Sequence, residues 1–111
     1  MSITDRNKLL AEFMGMTCHH NDKSVLIFST ENGNDILSVD DLKYHTDWNW
    51  LMQVVEKIES LGNDVFINTN YIQITFDNGE QFIKAEEVNV KIQATYNACV
   101  EFIKYYNDEN N

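Results

Sequence analysis

Cys18, His19, His20 and, further along, His45 are the residues whose types could hold a metal. A structural zinc site needs three or four such ligands converging tetrahedrally, usually as two spaced pairs. Cys18 and His20 enclose a single residue and no matching second pair follows, so adjacent surface histidines and no metal are expected. Cys18 or Cys99 with His45 would supply a thiol nucleophile and its base. Cys99 falls on the apolar stripe of a helical pattern, where a thiol is buried and inert. Cys18 lies in a polar stretch without a catalytic-cysteine signature. Asp40, Asp41 and Asp47 offer carboxylates for a divalent cation or for paired acids, but the Asp-x-Asp-x-Asp-Gly loop is absent, and a solvated face is the plainer reading. Neither a Gly-rich phosphate loop nor Gly-x-Ser-x-Gly occurs. The expectation is a protein that is not an enzyme and takes no cofactor.

A different chemistry is open to Tyr44, His45, Trp48 and Trp50, an aromatic group at the start of a helical pattern. In one reading it is a corner of the core, with Trp48 buried and Tyr44 stapling the helix entry. In the other it is a binding hot spot, with large rigid anchors rimmed by acids. The candidate partner-binding residues are Asp40, Asp41, Tyr44, His45, Asp47 and Trp50.

Charge narrows the partners. The chain of 111 residues carries 18 acidic and 8 basic side chains, a net charge of −10, and Arg6 is its sole arginine. Reading phosphates or bases needs clustered Lys and Arg, so direct nucleic-acid binding is not expected. An anionic membrane surface is disfavoured for the same reason. An acidic surface does suit a partner with a basic one, although solubility alone also accounts for such a charge. Two cysteines far apart predict free thiols in a reducing cytoplasm. No apolar run approaches a signal peptide or a membrane span.

The elements that must position these residues follow from periodicity. One domain over residues 1–111 is expected. Leu9, Leu10, Phe13 and Met14 mark one face of a short helix, capped by Thr4 or Asp5 and stopped by Gly15. Residues 16–23 are polar and turn-like. Residues 24–29 are a strand, and 36–39 a weak second one. Residues 31–47, with five carboxylates and one lysine, read as an exposed irregular connection. Trp48, Leu51, Met52, Val55, Ile58 and Leu61 then form an apolar stripe ended by Gly62, with Trp50 off it. Residues 64–68, 71–76 and 81–85 form an antiparallel meander, its second turn set by Asp77-Asn78-Gly79. A last helix from about residue 89 to 106 covers it. The fold class is α+β, a two-layer or three-layer sandwich of three helices and a meander of three or more strands, in α-β-α-β-β-β-α order.

Three blocks, Leu10-Ala11-Glu12-Phe13-Met14-Gly15, the segment 44–62 around Trp48-Asn49-Trp50-Leu51-Met52, and residues 91–107, together resemble the phage ABA sandwich domain, a family of small phage and prophage proteins. The family typically has proline where this chain has Gln53. Residues 16–41 match nothing in it. The resemblance implies an α/β sandwich encoded by a phage or prophage and carries no catalytic residues over. The expected function is a small accessory protein in the host cytoplasm that binds or inhibits a host defence or nucleic-acid-handling protein. The alternatives are a small-ligand or nucleotide sponge and a structural phage component.

Overall fold

Ser2 accepts a 3.1 Å hydrogen bond from the backbone N–H of Asp5 and so caps the first helix, Ile3–Phe13 (α1). The cap is therefore Ser2 rather than Thr4 or Asp5. The computed structural model describes residues 2–23, 25–30, 36–68, 71–76, 79 and 91–109, together with the backbone of 81–86. Leu10, Ala11 and Phe13 turn inward from α1. Gly15 follows the helix at φ 93°, a left-handed conformation that suits glycine.

A first antiparallel sheet follows, built from Thr17–His20 (β1), Leu26–Ser29 (β2) and Ile36–Ser38 (β3) in the order β1-β2-β3. The turn-like expectation for residues 16–23 is corrected here: Thr17 pairs with Ser29 and His20 with Leu26. The strand escapes pattern reading because its side chains are mostly exposed, so no apolar alternation marks it. Its hairpin is closed by Asn21, whose side-chain oxygen accepts from the N–H groups of Lys23 and Val25 at 2.9 and 3.0 Å. Phe28 on the middle strand is wholly buried.

The connection after β3 is less irregular than its composition suggests. Residues 31–35 of that segment lie outside the described residues. Val39–Asp41 form a 3₁₀ turn held by the Asp41 carboxylate, which accepts from the Ser38 backbone N–H at 2.9 Å and from its hydroxyl at 3.2 Å. Leu42 and Tyr44 are buried in the core, which corrects the expectation of a largely exposed segment. Two apolar residues separated by one polar residue make too short a signal to show in any window.

Asp47 caps the second helix, Trp48–Ser60 (α2), by accepting from the Asn49 backbone N–H at 2.8 Å. The buried stripe is Leu51, Val54, Val55 and Ile58. It is rotated from the expected one. Trp48 is 37% exposed and Leu61 38% exposed, while Trp50, one turn before Val54, widens the buried face. Gly62 ends the helix at φ 96° as expected.

A second antiparallel sheet is the predicted meander: Asp64–Ile67 (β4), Tyr71–Thr75 (β5) and Gln81–Glu86 (β6), in the order β4-β5-β6. Ile72 and Ile74 are its buried centre, and the β5–β6 register slips between Ile74 and Thr75. The turn residues 69–70 and 77–78 lie outside the described residues, and Gly79 has the positive φ of 86° that the second turn requires. The final helix, Lys91–Glu109 (α3), packs on β5 and β6 and on both other helices. Its buried face includes Thr95, Tyr96, Cys99, Phe102 and Ile103. Residues 89 and 90, where that helix was expected to begin, lie outside the described residues.

The fold is thus α+β, three helices with two antiparallel sheets, and the expected order holds with the first strand region enlarged to three strands. Helices α1 and α3 run parallel. Arg6 meets Asn97, Asn7 meets Tyr96, and Phe13 meets Phe102 and Tyr106, so residue numbers rise together along both. The end of α1, which has no basic residue in its last turn, is served by Lys57 of α2, whose ammonium donates to the Phe13 carbonyl and lies 4.8 Å from its ring centroid.

Cys99 is wholly buried, and burial pushes its thiol up from 9.0 to about 12. The folded form therefore keeps a proton that the unfolded chain releases above pH 9. That contribution is complete below pH 9 and is lost as pH rises toward 12, at up to about 1.4 kcal/mol per pH unit. In urea titrations, stability should fall by about 1 kcal/mol more between pH 7.5 and 10 for the native protein than for Cys99→Ala. Parallel pH curves would show that the thiol is not held neutral by the fold.

Candidate functional site

The six candidate residues run from the 3₁₀ turn (Asp40, Asp41) through the connection (Tyr44, His45, Asp47) into the first turn of α2 (Trp50), and they separate into supports and surface. Tyr44 is a support. It is buried, its ring meets that of Trp50 edge to face at 5.1 Å and 83°, and burial pushes its hydroxyl up to about 12. Trp50 is half-buried behind it. Asp41 and Asp47 hold the ends of the 3₁₀ turn and of α2, so each has a local structural task besides its charge. Asp40 is exposed, as is Asp41. Trp48, which sequence reasoning placed in the core, is the exposed tryptophan of the pair. Of the two tryptophans, Trp50 is propped from behind by Tyr44 and Trp48 faces solvent.

His45 belongs to a second group that sequence reasoning missed. Asn7 of α1 is buried, and its side-chain nitrogen donates to the Leu42 carbonyl at 3.3 Å and meets His45 Nδ1 at 3.1 Å. A carbonyl only accepts, so the Leu42 contact fixes which end of the Asn7 amide is nitrogen. His45 Nδ1 must then accept, and in the neutral ring the proton is carried by Nε2. The Tyr96 hydroxyl donates to Asn7 Oδ1 at 3.0 Å and completes the chain. Burial pushes that hydroxyl up to about 12, with Arg6 pulling the other way. One asparagine therefore ties α1, the connection and α3 together. The signal for it was available: Asn7 lies three and four residues before Leu10 and Ala11, a polar residue at an apolar position of an amphipathic helix.

Beside this group is a cleft of about 260 Å³, bounded by Ile3 and Arg6 of α1, by His45, and by Ile92, Gln93 and Asn97 of α3. Arg6 makes a long 3.5 Å hydrogen bond to Asn97 Oδ1.

The other sequence candidates are dispersed. Cys18 and His20 lie on one face of β1 and His19 on the other, because side chains alternate along a strand. His45 is held against α1 and α3. Among the described residues, no three His, Cys, Asp or Glu side chains converge as a metal site would require. Cys99 is sealed in the core. No family model, curated protein or solved structure matches this chain.

Proposed function

We propose that the chain is a non-enzymatic accessory protein of a phage or prophage that binds a basic surface of a host protein in the host cytoplasm. The observation that carries this reading is Trp48. A large rigid aromatic stands 37% exposed at the first residue of α2, directly after the acidic cap Asp47. Exposed aromatics that cost little side-chain entropy to fix are the usual anchors of protein interfaces. Trp50 lies half-buried two residues on, and Asp40 and Asp41 are exposed on the same connection. The net charge of −10 steers a basic partner toward such a face. The family resemblance supports the phage setting. Among the described residues, no helix is long and apolar enough to cross a membrane.

The test removes charge and keeps shape. Asparagine caps helices about as well as aspartate, so Asp40→Asn, Asp41→Asn and Asp47→Asn together leave the caps in place. Immobilised protein is exposed to host lysate at low salt, and the retained protein is quantified. Capture should fall about tenfold in the triple variant. It should also fall for the native chain when the salt is raised past the screening range. Equal capture by native and triple variant would remove the electrostatic basis of the reading.

A further inference from the structure

We propose that the cleft between the starts of α1 and α3 binds a small organic carboxylate. The inference is independent of the host-protein reading and shares only His45 with it. Its first support is the character of the lining. The chain has 18 acidic and 8 basic residues. Yet among the described residues the lining of the cleft, Ile3, Arg6, His45, Gln93, Asn97 and their neighbours, includes no carboxylate and does include the sole arginine. Arg6 has five N–H donors in a planar fork, and the contact it makes among the described residues is the long one to Asn97. That fork matches the two oxygens of a carboxylate.

The second support is preorganisation. His45 is held by a buried hydrogen-bond chain, with Tyr96 donating to Asn7 and Asn7 donating to His45 Nδ1, so the ring carries its proton on Nε2, a donor without a partner among the described residues. A histidine fixed in this tautomer by a second shell is set to donate at no further cost in orientation. The side-chain amides of Gln93 and Asn97 add donors, and Ile3 and Ile92 supply apolar walls for a short hydrocarbon tail. The first turns of the two parallel helices also favour negative charge here. The ligand is read as a monoanion because one permanent cation lines the site. Its size follows from the volume of about 260 Å³, below the roughly 300 Å³ at which pockets for drug-sized ligands begin.

The probe is sodium butyrate, titrated into the full chain labelled for NMR, with sodium chloride and sodium phosphate at matched ionic strength as separate arms. Butyrate should give saturable shifts centred on Arg6, His45, Gln93 and Asn97, with a dissociation constant on the order of 1 mM. Arg6→Lys keeps the charge and loses the fork, and should weaken binding about tenfold. Asn97→Ala should weaken it severalfold, and serves in place of Arg6→Lys if that chain loses its native spectrum. Shifts that do not saturate, or that chloride reproduces, overturn the proposal. So does saturation centred on other residues, or undiminished binding by either folded variant. Saturation by phosphate but not by butyrate overturns the carboxylate assignment.

Discussion

Phe28→Ala should lower the free energy of unfolding by about 4 kcal/mol, the range expected when a buried phenylalanine is truncated. Phe28 is wholly buried on the middle strand of the first sheet, opposite Cys18 on one side and Leu37 on the other. It is the one buried residue of β1, β2 and β3 among the described residues. The other residues of these strands are half-buried or exposed, so the anchorage of the sheet to the helices is concentrated in one ring. Removing it subtracts the transfer of an aromatic side chain from water and leaves a cavity that flanking half-buried residues fill only in part. Urea denaturation should show the midpoint falling by about 2 M. Ile36→Ala on the neighbouring strand, where the side chain is 65% exposed, should change stability by no more than about 0.5 kcal/mol. A loss below about 1 kcal/mol for Phe28→Ala would mean that the sheet is held by something other than this ring.

Asn7→Ala should cost about 3 kcal/mol, because it strands three polar groups rather than one. The Leu42 carbonyl, His45 Nδ1 and the Tyr96 hydroxyl all lose their partner together. A buried group left unsatisfied costs more than the bond it had contributed. Asn7→Asp separates the contributions. It keeps an oxygen for Tyr96 but has no N–H for Leu42 or His45, so it should recover little. Amide exchange in residues 42–45 should quicken in both variants, because the same side chain pins that connection to α1. Native-like stability in Asn7→Asp would show that the donor half of the amide contributes nothing.

These two residues also show how the fold could and could not be read from sequence. The helices, the meander and the stops at Gly15 and Gly62 were legible because each is written in a repeating pattern or a glycine with positive φ. The strand at Thr17–His20 was not, because an edge strand is held by backbone hydrogen bonds that leave no side-chain pattern. The exchange of roles between Trp48 and Trp50 has a different cause. Both fall in the first turn of α2, where the buried stripe is decided by what lies below the helix, and Tyr44 lies beneath Trp50. The acids of the connection were visible as charge, whereas the capping by Asp41 and Asp47 depends on backbone geometry. The cleft at Arg6 and His45 joins residues 3 to 97, and no local window could assemble it.

Photo-cross-linking from position 48 decides between a binding face and an inert acidic surface. A photoreactive phenylalanine analogue replaces Trp48 in one chain and Phe66, 51% exposed on the second sheet, in another. Both are irradiated in host lysate at low salt. The proposed binding face predicts one discrete adduct from position 48, the same host protein in repeated preparations, absent from position 66 and diminished in the triple Asp→Asn background. No adduct from position 48, or the same adducts from both positions, would contradict it.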